Sequence, residues 1–335
     1  MKIYLKNFFS YLNVSYQLVK QLRTQQKYIK TIVEPLLLQA KQHNDGTLEE
    51  NDFTKIRKYY ALFVVAIIGE CYCTLRGKKM NEIERKTLTF QGALTGLYDD
   101  FFDKENRKNK PVQEMMSSPF TYKPKDSVEK LFVYFLQQVH QNLENKIEFN
   151  NLFQKIYEVQ IETEQQINST ASSEQLKQIS EAKGGLSHLF YRITLSNSLI
   201  ENEYKVIYNL GSLLQQVNDI FDVWKDTTSG IATFVSISKD VKKIKTDFEF
   251  QRLAVYTQIN SLNYSTKQKQ NFFLQLMILI GMGIVCLDQY IALQEQNKNV
   301  FDVTKFKRKQ LVCDMQKKTN LLKLMKVCLS YDFKF

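Results

Sequence analysis

The chain has 335 residues, and its 46 Lys and Arg against 35 Asp and Glu give a formal charge of +11. That excess suits a polyanionic partner: a nucleic acid, a membrane surface or a phosphorylated small molecule. Only 11 Gly and 4 Pro punctuate long stretches rich in Leu, Lys, Gln, Glu and Ile, so a many-stranded protein is excluded and an all-α fold is expected. The five cysteines, Cys71, Cys73, Cys286, Cys313 and Cys328, are odd in number and have no C-x-x-C spacing. They argue against a disulfide framework or a zinc ribbon, and reduced thiols in the cytoplasm are expected.

In chain order, residues 1–10 mix lysines with aromatics and offer no apolar core followed by a cleavage site, so export is not expected. One or two amphipathic helices are predicted over 11–42, a loop over 43–51 around Asn44, Asp45 and Gly46, and a helix over 52–75. A basic turn containing Gly77 leads to a helix over about 82–103. Residues 104–126, with Pro111, Pro119 and Pro124, are predicted to hold no helix. Helices are expected at 127–142, 150–163 and, after a small polar run at 168–173, at 174–182. Gly184 and Gly185 are expected to break or kink the path before helices at 186–199 and 202–225. A loop at 227–230, a short apolar piece at 231–237 and helices at 247–259, 265–295 and 304–327 complete the chain. The apolar runs 59–75 and 272–287 approach membrane length but carry Glu70 in one and Gln275, Gly281 and Gly283 in the other. They read as buried core helices, with no transmembrane segment expected. No repeat or linker interrupts residues 1–335, so a single helical domain is expected.

Two acidic stretches carry chemistry. In the first, Asp99, Asp100 and Asp103 end a helix in a D-D-x-x-D pattern. At 3.6 residues per turn Asp103 lies roughly 40° from Asp99, with Asp100 roughly 60° beyond, so all three are expected to serve one face. Carboxylates so spaced repel one another. A hard cation such as magnesium would relieve that repulsion and bridge to phosphate oxygens. Flanking Tyr98, Phe101 and Phe102 set apolar surface beside the acids.

The second stretch places Gly211, Gln215, Asn218, Asp222 and Asp226 within a wedge of roughly 80° along an otherwise apolar helix. Asn218, Asp222 and Asp226 at i, i+4 and i+8 supply hard oxygen ligands, and Lys225 beside them suits a phosphate.

Together these stretches resemble the class I isoprenoid synthase superfamily: terpene cyclases, trans-prenyltransferases and squalene or phytoene synthases. Asp99, Asp100 and Asp103 match its aspartate-rich motif. Asn218, Asp222 and Asp226 match the register of the cyclase N-x-x-x-S/T-x-x-x-E motif, with Asp at both later positions, and Lys225 matches the lysine that often precedes the final acid. Gly211, Gln215, Asn218, Asp219 and Asp222 also resemble the prenyltransferase pattern G-x-x-x-Q-x-x-D-D-x-x-D, so the stretch stands between the branches.

The resemblance implies a helical bundle with a central cavity, in which two facing acidic motifs hold three Mg2+ ions and a prenyl diphosphate. It also implies a basic diphosphate sensor on the helix before the second motif, where Lys183 is the first candidate and Arg192 the second. Members of the cyclase branch have a helix break at that place, which Gly184-Gly185 would match.

The implied activity is ionisation of a prenyl diphosphate with release of pyrophosphate, as in a terpene synthase, by a monomer or homodimer. Phe101, Phe102, Phe190, Tyr191 and Phe221, with the helices around Phe63 and Met277, are candidate lining for a cationic intermediate. The G-K-R-x-R-P signature of chain-elongating prenyltransferases is only loosely echoed by Arg76-Gly77-Lys78-Lys79, and their paired arginines by Arg107-Lys108. Cyclisation is therefore set ahead of a prenyl diphosphate synthase or a head-to-head condensation.

A non-enzymatic alternative is a basic scaffold for RNA or acidic membranes, built on Lys305, Lys307, Arg308, Lys309, Lys317, Lys318, Lys323 and Lys326. No RNA-binding signature accompanies them, so nucleic acid is not the expected partner, while peripheral membrane association is compatible with the charge. His43, His140 and His188 stand apart in sequence and suggest neither a triad nor a zinc site.

Overall fold

The computed structural model describes residues 2–108, 110–167 and 169–331, and of Lys2, Ile3, Leu5, Lys6 and Glu105 the backbone alone. The described residues are all-helical, and a lone antiparallel bridge between Ile167 and Ile231 is their only strand-like pairing. Helix α1 (Lys2–Tyr28) widens into a π turn at Ile29–Val33 before α2 (Glu34–Gln42). Pro35, which has no N–H to donate, falls at that junction. Then come α3 (Glu50–Lys55), a π-helical stretch at Ile56–Gly69 and α4 (Glu70–Arg76). Gly77 ends α4 in the left-handed conformation, φ 67°.

A capping box starts α5 (Glu82–Tyr98): Glu84 N–H donates to Asn81 Oδ1 at 2.8 Å, and Asn81 N–H donates to the Glu84 carboxylate at 3.0 Å. The short helices α6 (Asp100–Asp103) and α7 (Val112–Ser117) lead to α8 (Ser127–Asn142), which Asp126 caps. The remainder is α9 (Lys146–Glu162), α10 (Ser173–Ile193), α11 (Glu203–Phe221), α12 (Val223–Thr228), α13 (Val241–Ser261), α14 (Thr266–Gln296), α15 (Arg308–Leu311) and α16 (Lys318–Ser330).

The described chain gathers into two compact units. A terminal unit holds residues 2–14, 158–189 and 199–331, and a middle unit holds 15–157 and 190–198. In the terminal unit α14 is the central helix, packed by α11, α13 and α16. Phe272, Phe273, Met277, Ile280 and Tyr290 are buried along it. Each such side chain contributes roughly 1.5–3 kcal/mol over leaving it exposed.

In the middle unit α5 packs on the 56–69 stretch and on α8. Gly92 lets the two backbones meet, since a Cβ there would lie 2.7 Å from the Tyr60 carbonyl oxygen. The two apolar runs, Glu50–Arg76 and Thr266–Gln296, are long and apolar enough to cross a membrane, yet their apolar windows are 56% and 61% buried against the rest of the protein.

Four expectations are corrected. Gly184 and Gly185 do not break α10, which runs unbroken from Ser173 to Ile193. A helix, α7, does form among the prolines, because Pro111 sits at its N-cap and Pro119 lies beyond its end. The helix expected over 304–327 is two, α15 and α16, with non-helical backbone between them. The helix through the second motif bends at Asp222 (φ −89°, ψ 6°), although i to i+4 hydrogen bonds continue on both sides, from Asp222 N–H to Asn218 and from Asp226 N–H to Asp222. Asn168, which opens the small polar run, lies outside the described residues.

Candidate functional site

The first acidic stretch belongs to the middle unit, at the joint between α5 and α6, and its three carboxylates do different things. Asp99 is half-buried and accepts the Tyr60 hydroxyl at 2.8 Å. The Asp99 carboxylate, and then burial, push the Tyr60 hydroxyl far above its ordinary pKa. Asp103 is exposed.

Asp100 is 1% exposed and lies among cations: Lys55 Nζ at 2.5 Å, Lys104 Nζ at 3.0 Å and Arg107 at 3.5 Å. The same Arg107 holds Asp52 at 2.6 Å, and Lys104 reaches both Asp52 and Glu49. Burial works to raise the pKa of Asp52. The hydrogen bonds from Arg107, the Glu49 amide and Lys104 outweigh it and hold the group well below the carboxylate range. Glu49, Asp52 and Asp100 are thus balanced by Lys55, Lys104 and Arg107, and the expected single face of three free carboxylates is not formed.

Apolar side chains cover the remaining sides of this joint. Tyr98 and Phe101 are core residues, and the Phe102 ring meets Tyr98 at a tilt, centroids 5.2 Å apart, and Tyr157 edge-on at 5.7 Å.

The second stretch belongs to the terminal unit. Its geometry is set by a contact between α10 and α11 in which backbones touch. A Cβ on Gly184 would lie 2.4 Å from the Gly211 carbonyl oxygen, and one on Gly211 would lie 2.3 Å from that of Gly184. The glycines that looked like a helix break are instead the surfaces by which two helices meet.

Around this crossing, Ser212 donates to the Glu181 carbonyl oxygen at 2.8 Å and Ser180 donates to Asp219. Gln215 takes the other Asp219 oxygen at 2.9 Å. Asp219 is therefore buried and engaged through both oxygens, an anchor between helices. Asn218 is exposed, Asp222 pairs with exposed Lys225 at 3.1 Å, and Asp226 is 8% exposed. Burial, followed by the carboxylates of Asp222 and Asp219, pushes Asp226 up to about 7, against the opposing pull of Lys225 and Lys183. Lys183 thus stands within electrostatic reach of Asp219 and Asp226.

Arg192, the second sensor candidate, is 1% exposed in the middle unit and donates to the Asn197 carbonyl oxygen at 3.2 Å, bracing the turn after α10. The sequence did not single out Tyr60, Ser180 or Lys55. Lys104 and Arg107 fall in the stretch read as non-helical, so their pairing with Asp100 was not anticipated either. A cavity of about 330 Å³ lies between α2 and α8, lined by Leu36, Ala40, His43, Lys130, Leu131 and Tyr134, and contains none of the predicted site residues.

No protein-family model matches the chain, and no curated protein matches it at a significant level.

Among the described residues no three His, Cys, Asp or Glu side chains converge to hold a metal by themselves. Magnesium does not require that, since it is commonly held by one or two carboxylates with phosphate and water completing the shell. Asp222 and Asp226, whose mutual repulsion Lys225 and Lys183 only partly offset, fit such a partial shell, with Asn218 one turn before. Asp99 and Asp103 fit it in the middle unit. Asp100, already neutralised, does not.

Proposed function

We propose that the chain is a class I isoprenoid enzyme that ionises a prenyl diphosphate in a magnesium-dependent reaction and releases pyrophosphate. The observation that carries this reading is the Asn218, Asp222 and Asp226 stripe, held in register through the bend at Asp222, with Lys183, next to the Gly184–Gly211 contact, within electrostatic reach of Asp226.

The chain's own residues have separable parts. Asp222 and Asp226 present oxygens for cations, and Asn218 adds a neutral one. Asp219, held by Ser180 and Gln215, fixes the helix pair on which these groups stand. Lys183 and Lys225 place positive charge where the leaving oxygens of a diphosphate collect negative charge. Bound magnesium would supply further charge on the phosphate oxygens, making pyrophosphate a better leaving group. Asp99 and Asp103 are the proposed ligands of the first motif, and Asp100 supports the fold.

A second reading concerns the fate of the prenyl group after ionisation. The helix break of the cyclase branch is missing from α10, and that favours condensation of prenyl units, including the head-to-head type, over cyclisation.

The test is incubation with geranyl, farnesyl, geranylgeranyl and longer prenyl diphosphates, with and without magnesium and isopentenyl diphosphate. Pyrophosphate is measured and products are extracted for mass spectrometry. Magnesium-dependent release, lost in Asn218→Ala and Asp222→Ala, is the expected result. No release from any substrate, or unchanged release in both variants, overturns the assignment. Coupled products of doubled length mark head-to-head condensation, and cyclic hydrocarbons mark the cyclase.

A further inference from the structure

We propose that the outward faces of α1 and α16 form a docking surface for an anionic lipid bilayer. The two helices adjoin in the terminal unit. The Asn7 amide, 7% exposed, donates to the carbonyl oxygens of Leu329 at 3.1 Å and Tyr331 at 2.8 Å, which pins the start of α1 to the end of α16. Helix α16 turns Leu324 and Cys328 to α14: Leu324 Cδ1 lies 2.8 Å from where a Cβ of Gly281 would be, and Cys328 Sγ lies 3.7 Å from the Met277 carbonyl oxygen.

What remains outside is apolar. On α16, Leu321, Leu322 and Met325 are 48%, 61% and 48% exposed. On α1, Tyr4, Phe8 and Leu12 recur every fourth residue at 40–52% exposure, with Phe9 beside them at 67%. Residues four apart share one helix face, so both helices present their large apolar groups outward in stripes. Such surface marks an interaction site rather than ordinary scatter.

The charge identifies the occupant. Residues 1–33 contain no Asp or Glu, and neither does α16, whose Lys318, Lys323 and Lys326 lie exposed among its apolar positions. A second copy would set cation against cation. A bilayer with anionic headgroups answers both features at once: lysines meet phosphates, while Phe, Tyr, Leu and Met enter the boundary with the acyl chains. Tyr4 suits that boundary because its ring is apolar and its hydroxyl polar, and Phe8 and Phe9 supply the apolar area that enters it.

The proposal is independent of the activity proposed above, and its test uses no prenyl substrate. The intact protein is floated with phosphatidylcholine vesicles with and without phosphatidylserine, at rising salt. Binding is expected only with phosphatidylserine, and is expected to weaken as salt rises. Lys323→Gln and Lys326→Gln should each reduce it about five-fold, the loss expected for one basic residue at a charged surface. Phe9→Ser with Leu322→Ser should abolish it, while circular dichroism and Tm stay unchanged because all these side chains are exposed.

Failure to float with phosphatidylserine overturns the proposal, as does floating that ignores both the lysines and the salt. Self-association without vesicles that Phe9→Ser removes would assign the surface to a second copy. Retention of RNA without flotation would assign it to nucleic acid. Either result overturns the bilayer.

Discussion

Replacing Asp100 by Asn separates a structural carboxylate from a metal ligand. Asp100 is 1% exposed and touches three cations, two of which also hold Asp52. The substitution conserves shape but removes one negative charge, so that Lys55, Lys104 and Arg107 face only Asp52 and Glu49. Breaking a buried ion pair by removing one partner costs about 3–5 kcal/mol. Lys55 and Lys104 are 27% and 20% exposed and can turn partly to water, whereas Arg107, 2% exposed, cannot. A loss of about 2–3 kcal/mol is therefore expected.

Urea denaturation at pH 7, with and without magnesium, reads it. The loss should be the same in both conditions. Adding Lys55→Met should recover part of it, because the double variant restores the balance of two acids against two cations. Wild-type stability in Asp100→Asn, together with lost magnesium-dependent pyrophosphate release, would refute the structural role and return Asp100 to the ligand set.

Other changes test the remaining contacts. Gly184→Ala should destabilise by about 1–3 kcal/mol or more, because its Cβ would meet backbone that cannot move aside; an unchanged urea midpoint would disprove the close crossing. Asp226 is raised from 3.8 to about 7, first by burial and then by its neighbouring carboxylates, so the fold favours its protonated form. Its contribution is full below about pH 3.8 and is lost progressively as pH rises from there through about 7, an upper bound of roughly 4 kcal/mol at about 1.4 kcal/mol per pH unit. Asp226→Asn should accordingly be more stable than wild type above pH 7 and have a flatter pH curve, although Asp219, raised in the same sense by its burial, keeps some slope. Tyr60→Phe should cost about 1.5–3 kcal/mol by removing a donor to a charged carboxylate, as measured by denaturation at pH 7.

The all-α character was legible because helical periodicity and the scarcity of Gly and Pro are local signals. The starts of α5 and α14 fell close to where they were expected, and the structure shows capping boxes there, Asn81 with Glu84 and Ser265 with Gln268. The errors arose where one local pattern serves two ends. A glycine pair terminates a helix when nothing packs on it and admits a second helix when something does. Gly211, the partner that decides the matter for Gly184, lies on another helix. Proline behaves likewise: Pro111 is excluded from a helix interior yet sits at the N-cap of α7. What decides is the position of the element boundary, which composition does not fix.

In the candidate site, spacing identified the acids but not the state of each. Asp100 and Asp219 match the family patterns as well as their neighbours do, yet both are engaged within the protein, Asp100 by Lys55 from 45 residues away and Asp219 by Ser180 from 39. An acid already satisfied by the fold loses those bonds if it turns to a cation. An acid raised by burial and then by neighbouring carboxylates, such as Asp226, is one whose ionised form a bound cation would favour. Sorting the carboxylates on that ground leaves Asp226 as the group that a cation would relieve, with Asp222 and Asn218 beside it as further oxygen donors. The lysine beside them stands on a helix with no break in it. On the reading proposed above, these side chains with a bound cation would hold a diphosphate, while the unbroken α10 frees no backbone carbonyls beside it. Within that proposal, the unbroken helix favours transfer of the prenyl group to an acceptor over cyclisation.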